Sequence, residues 1–164
     1  KALIATGVLD AGKGIMYCYI GISIGDVVAG LLSQILKSRR KVMLIFLMLT
    51  AVSVGIYLYS FGLTPEGFIL LSLLLGFASG YWATFVTIAA EQFGTNLRAT
   101  VTTTVPNFVR GSLIAITTGF QFFKDKLGIL EGAMVVGVIC IVISLIALSQ
   151  LKETFSKDLD YVER

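Results

Sequence analysis

The stretch "ILEGAMVVGVICIVISLIALSQL", residues 129–151, decides the fold class. It holds 23 residues and a single charged side chain, Glu131, near its start. As an α-helix rising about 1.5 Å per residue, this length crosses a hydrocarbon core of about 30 Å. Aliphatic residues surround the helix on all sides, so no face of it is suited to water. Residues 129–151 are therefore predicted to span a membrane.

Four stretches upstream share this length and apolar character. The links between them are short and contain charges or helix breakers: "KSRRK", "GLTPEG", "EQFGTNLR" and "KDKLG". Short links require consecutive spans to be antiparallel neighbours. The sequence predicts an all-α, multi-pass bundle of five transmembrane helices, over residues 15–36, 42–61, 68–90, 99–123 and 129–151.

The composition agrees with an integral membrane protein and excludes several other classes. Hydrophobic residues make up 56% of the 164 residues and charged residues 14%, and the mean hydropathy is +0.90. The chain has no histidine, and its two cysteines, Cys18 and Cys140, lie in apolar runs. No metal site or other cofactor is expected. The net charge of +3 lies beside apolar stretches, which suits lipid headgroups and not a nucleic acid.

The basic residues are divided unequally between the two predicted faces, eight against four. Cytoplasmic loops carry the excess of Lys and Arg, so the face with eight is predicted to be cytoplasmic. The amino end is then outside, and the tail, residues 152–164, is cytoplasmic. The cytoplasmic set is Lys37, Arg39, Arg40, Lys41, Arg98, Lys152, Lys157 and Arg164, and the outer set is Lys1, Lys13, Lys124 and Lys126.

Two of the predicted spans carry a polar stripe. Polar and small residues recur at steps of three and four around Asp26 in the first span, and around Asn107 and Arg110 in the fourth. Such stripes avoid lipid, so both are expected to face one common side. Asp26 and Arg110 lie near the middle of their spans, so a direct or water-bridged contact between them is geometrically possible.

The spans at 42–61 and 129–151 are instead almost wholly aliphatic. We expect both to be lipid-facing scaffold helices.

Three motifs together resemble the major facilitator superfamily. "AGLLSQILKSRRKV", residues 29–42, is similar to its basic signature between second and third helices of a half, with Gln34 in place of the usual acidic residue. "EQFGTNLRAT", residues 91–100, is similar to its Glu-x-Phe-Pro-Thr-x-x-Arg run, with Gly94 in place of proline. "LKETFSKDL", residues 151–159, resembles the Glu-Thr run with which many of these transporters leave the membrane.

This resemblance implies that the chain comprises helices eight to twelve of a twelve-helix secondary transporter in the cytoplasmic membrane of a bacterium. Residues 1–14 would then lead from a seventh helix, and the partner of the bundle would be a missing amino-terminal half. The implied function is transport of a small solute by alternating access. An isolated half exposes its interface, so this chain is expected to self-associate.

The first candidate site consists of Arg110, Asp26 and Asn107. A charge at the bilayer midplane costs at least about 2.5 kcal/mol, so each charge there needs a reason. Arg110 suggests an anionic or polyhydroxylated solute, and a proton or an anionic solute that competed for the Asp26–Arg110 pair would couple binding to the motion of the halves. The alternative is a static pair that locks the bundle.

The second candidate site is the set of charged residues at the cytoplasmic face. It is expected to act as a cytoplasmic gate, or else to fix topology and contact lipid headgroups. For Glu91 and Arg98, the alternative is a structural pair at the membrane surface. The set is Arg39, Arg40, Lys41, Glu91 and Arg98.

Motifs for an enzyme fail on their chemistry. "GVLDAGKG", residues 7–14, has Gly14 where a phosphate-binding loop needs Ser or Thr. Asp26 is a lone carboxylate where an aspartyl protease needs two. "GFASG", residues 76–80, is similar to the serine motif of an intramembrane serine hydrolase, but the chain has no histidine to act as its base. No enzyme is expected, and the alternative to a transporter is a structural or assembly membrane protein.

Overall fold

A computed structural model describes residues 10–60 and 62–156, and this part of the chain is all-helical. The all-α prediction is confirmed for these residues. The end of the predicted second span at residue 61, residues 1–9, and residues 157–164 of the tail lie outside them. The described helices are α1 (Ala11–Ile35), α2 (Arg39–Tyr59), α3 (Pro65–Ser79), α4 (Trp82–Glu91), α5 (Thr95–Leu127) and α6 (Ile129–Gln150).

Within the described residues, four helical segments are long and apolar enough to cross a membrane. They are α1, α2, α6 and the segment Pro65–Glu91, which comprises α3 and α4. The predicted span at 99–123 lies inside α5, a helix of 33 residues. Helix α5 is long enough to cross a membrane, but because of its polar side chains it is not one of the four apolar segments. The described chain is thus compatible with a multi-pass membrane protein.

The helices begin where the sequence supplies side-chain caps. Asp10 Oδ1 accepts hydrogen bonds from the N–H groups of Gly12 and Lys13, at 2.8 and 3.3 Å. Ser38 Oγ accepts from Lys41 N at 3.2 Å, and Thr64 caps the helix that starts at a proline. These side chains satisfy backbone donors that a helix start leaves without partners.

Helices α1 and α3 approach each other closely through glycines. A Cβ atom on Gly76 would lie 2.7 Å from the carbonyl carbon of Cys18, and one on Gly21 would lie 2.7 Å from Phe77 N. Gly80 is in the same position relative to Gly25, whose Cα would lie 2.6 Å from an added Cβ. Because these neighbouring atoms are backbone, only a residue without a side chain fits here.

Helix α2 buries one face in the bundle and exposes the other, so the expectation that residues 42–61 are lipid-facing scaffold describes only its exposed face. Val42 is 0% exposed and Phe46 2%, and they form a buried cluster with Ala29 of α1. The Phe46 ring stacks 5.8 Å from that of Phe77 and 6.2 Å from that of Tyr81. The helix packs on α1, α3, α4 and α6. By contrast, α6 buries only Gly132 and Leu148, as expected of a peripheral helix.

The predicted third span, residues 68–90, is interrupted in its middle. Helix α3 ends at Ser79 and α4 starts at Trp82, with Gly80 at φ −79°, ψ 65° and Tyr81 at φ −134°, ψ 20° between them. Neither residue has helical dihedral angles. The interruption lies against α1, where the backbone of Gly25 and Asp26 contacts Gly80. The span is therefore a discontinuous helix.

Candidate functional site

A network of polar side chains joins four chain segments at one end of the bundle. It contains Ser33 at the end of α1, Arg39 at the start of α2, Glu91 at the end of α4, and Glu153 and Thr154 after α6. We call these five residues the Arg39 cluster. It connects distant parts of the sequence, since Thr154 lies 121 positions beyond Ser33.

The centre of the Arg39 cluster is an ion pair between Arg39 and Glu91. Arg39 Nη2 lies 3.1 Å from Glu91 Oε1, and the two side chains are 16% and 11% exposed. Arg39 Nη1 also donates to Ser33 Oγ at 2.6 Å, and Thr154 Oγ1 donates to Glu91 Oε2 at 2.6 Å. A mostly buried ion pair needs such additional partners to offset the loss of hydration. The pair is thus built into the packing of the bundle.

Glu153 ties the segment after α6 to the start of α2. Its carboxylate accepts hydrogen bonds from the Ser38 hydroxyl and from the N–H groups of Arg39, at 2.9 Å, and Arg40, at 3.4 Å. A carboxylate at a helix start is also favoured by the helix dipole. The N–H groups of Thr154 and Phe155 donate to the same carboxylate at 3.0 and 3.1 Å.

These contacts change the protonation equilibrium of Glu153. Burial on its own would raise the pKa of its carboxyl group, but the hydrogen bonds from the Ser38 hydroxyl and from the backbone of Phe155, Arg39 and Arg40 lower the pKa to about 2. Hydrogen bonds to the charged form of a carboxyl group favour that form. Glu153 therefore stays negatively charged far below neutral pH.

We expect Glu153→Gln to lower the melting temperature at neutral pH by about 2 °C, because the contact is solvent-exposed and screened. A depressed pKa stabilises the folded chain above the unfolded pKa. The difference between wild type and variant should therefore be full above about pH 4.5 and vanish as the pH falls through about 2. Thermal melts across this pH range measure it.

Glu66→Gln is the matched control for this prediction, since Glu66, in the first turn of α3, also places a carboxylate at a helix start. It tests whether any glutamate at a helix start gives the same pH dependence. A Glu153→Gln difference that persists unchanged to pH 2 would contradict the assignment of the stabilisation to the charged carboxylate.

The remaining residues of the second candidate site lie around the Arg39 cluster. Arg40 Nη2 donates to the carbonyl oxygen of Ser149 at 3.1 Å, and the side chain of Lys41 is exposed. Arg98 is half-buried, and its Nη2 lies 3.5 Å from the carbonyl oxygen of Phe93. The acidic partner of Arg39 is Glu91 of this same chain, so Glu91 forms its ion pair with Arg39 and not with Arg98 as considered from the sequence.

Asp26 lies at the interruption between α3 and α4. Its Oδ1 accepts a hydrogen bond from Ala83 N at 3.0 Å. Ala83 is the second residue of α4, so the carboxylate lies at the positive end of a half-helix. The side chain is half-buried. In α1, α3 and α4, all of which the structure describes, every other charged residue lies near a helix end, namely Lys13, Glu66 and Glu91.

Arg110 and Asn107 lie together on the outer surface of α5. Arg110 Nη1 donates to Asn107 Oδ1 at 3.3 Å, one turn away, and both side chains are exposed. None of the residues of α5 is buried, although the helix packs on α4 and α6. The threonines nearby bond to carbonyl oxygens of their own helix, as Thr103 does to Thr100 at 2.9 Å.

The structure does not bring the three residues of the first candidate site together. Asp26 and Arg110, both of which it describes, form no ion pair: one contacts the backbone of α4 and the other contacts Asn107. Arg110 and Asn107 are adjacent as expected. The direct Asp26–Arg110 contact that the sequence allowed is absent from the described residues, because α1 packs mainly on α3 while α5 packs mainly on α6.

Sequence reasoning missed Ser33, Glu153 and Thr154 as members of the network. A usable signal was present for two of them. The Glu-Thr run of "LKETF" follows the last span on the same predicted face as "KSRRK", and opposite charges on one face are candidates for pairing. Ser33 gave no such signal, because serine is common in helices that bond it to their own backbone, as Ser33 does to Gly30 at 2.8 Å.

No protein-family model, curated protein or solved structure matches this chain. Among the described residues, no three His, Cys, Asp or Glu side chains gather to form a metal site. The described residues hold the mostly buried Arg39–Glu91 pair, the Asp26 carboxylate at a helix interruption, and the exposed Arg110–Asn107 pair.

Proposed function

We propose that this chain is the carboxy-terminal half of a secondary transporter of the major facilitator superfamily, with α5 as the fourth of its five transmembrane helices. It moves a small solute across a bacterial cytoplasmic membrane by alternating access. The amino end lies outside and the Arg39 cluster lies on the cytoplasmic face. The partner of the half is an amino-terminal half encoded upstream.

The observation that carries this proposal is the Asp26 carboxylate at the interruption of the α3–α4 span. Discontinuous helices in transporters provide half-helix ends that interact with ions and substrates near the midplane. Asp26 lies 15 residues from the start of α1 and nine from its end, which places it well inside the span. An ionisable residue at such a depth is by default a functional one. A coupling proton is the ion we assign to Asp26.

The polar surface of α5 supports a solute site in the same bundle. Arg110 presents a guanidinium with several N–H donors, and Asn107 beside it offers an amide. In a membrane, this surface requires protein or water against it. The missing half and a wet cavity between the halves supply both. The ligand that suits the pair is an anionic solute.

A structural or assembly role is the alternative, and the same surface of α5 favours it. A helix without a buried residue that carries polar side chains into the membrane also fits a binding face for another membrane protein. Such a role requires neither a coupling ion nor solute movement. The two functions therefore differ in whether vesicles reconstituted with the protein take up a solute.

The first test is transport by the complete gene product in proteoliposomes. With a panel of radiolabelled small carboxylates and organic phosphates and an imposed pH gradient, we expect uptake of at least one anion. Arg110→Gln should reduce its rate by at least about 100-fold, the loss of one buried charge contact of about 2.7 kcal/mol or more. Asp26→Asn retains an acceptor for Ala83 N and removes the charge, so it should abolish the pH dependence and keep the fold.

Lys126→Gln is the control, since Lys126 is an exposed cation of the same helix beside the Phe122 ring. Uptake in this variant should equal that of the wild type. If Arg110→Gln and Asp26→Asn both transport at the wild-type rate and pH profile, neither residue belongs to a mechanism. If no anion is taken up, and the upstream sequence lacks seven apolar spans, the structural role is favoured.

A further inference from the structure

A groove of about 430 Å³ lies between the start of α2 and the end of α6. The two helices are antiparallel along their whole length, because Tyr59 Oη at the end of α2 donates to Met134 Sδ near the start of α6 at 3.0 Å. The groove is at the opposite end of this pair. It is open at the outer surface of the bundle, where Leu44 is 44% exposed.

The walls of the groove change from charged to apolar along the helix axis. Arg40, Lys41 and Glu153 line the rim, and Leu44, Leu145 and Leu148 line the part below. Leu44 follows Arg40 by four residues, which places it about 6 Å deeper along α2. Leu145 lies the same distance before Ser149 on α6, where the polar part begins. The groove therefore changes from charged to apolar along the direction in which both helices would cross a membrane.

The rim is positively charged where a ligand would meet it. Arg40 is held in place by the bond from its Nη2 to the carbonyl oxygen of Ser149 at 3.1 Å. A guanidinium has about five N–H donors, and this bond uses one of them within the described part of the chain. Lys41 is exposed beside it. The one anion of the rim, Glu153, directs its carboxylate to the Ser38 hydroxyl and the backbone N–H groups of Arg39 and Arg40.

We propose that this groove binds one anionic diacyl phospholipid from the cytoplasmic leaflet, with its phosphate on Arg40 and Lys41 and an acyl chain along Leu44, Leu145 and Leu148. Basic pockets at the ends of transmembrane helices are suited to acidic lipid headgroups. A soluble phosphate compound would leave the leucine wall without a partner. Both halves of the groove therefore match one lipid. The site does not depend on solute transport, but its assignment to the cytoplasmic leaflet rests on the orientation proposed above.

A lipid bound in the groove would also stabilise the folded chain. The rim residues belong to the start of α2 and to the segment after α6, which the Arg39 cluster holds together. A lipid bound here adds a further link between these two segments. Binding should therefore raise the thermal stability of the chain, because a ligand of the folded state stabilises that state.

The experiment uses the purified full chain in detergent, titrated with dioleoyl phosphatidylglycerol and, separately, dioleoyl phosphatidylcholine, with binding read by native mass spectrometry and by thermal melts. We expect saturable binding of one phosphatidylglycerol and a melting temperature that rises with it. Lys41→Gln should weaken this binding about fivefold, and Arg40→Gln combined with it by more than about tenfold.

Lys13→Gln is the matched control, since Lys13 is an exposed lysine in the first turn of α1 at the other end of the bundle. It should bind phosphatidylglycerol as the wild type does. Leu145→Asn tests the acyl part and should weaken phosphatidylglycerol binding with Arg40 and Lys41 intact. Equal binding of the two lipids, equal effects of Lys41→Gln and Lys13→Gln, or full competition by glycerol 3-phosphate would each overturn the proposal.

Discussion

Replacing Gly76 by alanine is expected to lower the free energy of unfolding by about 3 kcal/mol, at the upper end of what an overpacked site costs. The added methyl group would lie 2.7 Å from the carbonyl carbon and 2.9 Å from the Cα of Cys18, with the carbonyl oxygen closer still. These atoms belong to the backbone of α1 and cannot rotate away. Helices α1 and α3 would have to separate, and the contacts of Gly21 and Gly80 would separate with them.

Titration with sodium dodecyl sulfate in mixed micelles measures this loss. Gly55→Ala is the matched control, because Gly55 also lies in a helix interior and nothing lies within 4 Å of a Cβ added there. That variant should be unchanged or more stable by up to about 1 kcal/mol, as helix propensity predicts. Equal stability of the Gly76→Ala and Gly55→Ala proteins would show that the close approach is absent in solution.

The helices themselves were predictable from sequence because apolar length and local caps specify them. Ser38, Thr64 and the proline after Thr64 mark helix starts by rules that need no tertiary information. The interruption at Gly80 was not predictable in this way. Residues 68–90 contain no charged residue and no proline, and the break lies where the backbone of α1 contacts Gly80, which is a tertiary contact.

The position of α2 shows why polarity alone does not rank helices by burial in a membrane protein. Aliphatic side chains are equally suited to lipid and to a protein core, since both surroundings are apolar. Val42 and Phe46 are buried, while Leu44 and Ile45 of the same helix are exposed at 44% and 45%. Nothing in the composition of the two pairs distinguishes them. Only the positions of the neighbouring helices, which the fold determines, make one pair buried and the other exposed.

The residues of the candidate sites were predictable from the sequence, but the contacts that they make between helices were not. Arg39 and Glu91 were both selected from sequence motifs, but their mutual contact depends on how α2 and α4 pack. Asp26 was selected for its depth, and its partner is a backbone N–H of α4. A backbone donor is set free only where a helix starts. The partner of Asp26 therefore could not be read before the interruption of the helix was known.

Replacing Arg39 by glutamine is expected to have the largest effect of any single change, a loss of about 3 kcal/mol or more in the free energy of unfolding. Glu91 is 11% exposed, and without the guanidinium its charge would keep one hydrogen bond, from Thr154. Ser33 would lose its donor as well. An uncompensated charge in such a place is costly, whereas a neutral pair of similar shape is not.

Glu91→Gln in the Arg39→Gln background should therefore recover part of the loss. We expect the double variant to be more stable than Arg39→Gln alone by at least about 1 kcal/mol, the coupling typical of residues that share one network. Lys152→Gln, at an exposed lysine next to Glu153, controls for the loss of a cation near the cluster and should change stability by less than about 0.5 kcal/mol.

The same cycle separates a gate from a static lock. If the Arg39–Glu91 pair closes the cytoplasmic side in one state of an alternating-access cycle, Arg39→Gln and the double variant should both slow transport in proteoliposomes, while only the single variant is strongly destabilised. A pair that only stabilises the fold would give a double variant with near wild-type transport, because the neutral pair restores the packing without the charges. Additive losses of stability would instead mean that Arg39 and Glu91 do not interact, and that their contact of 3.1 Å carries no energy.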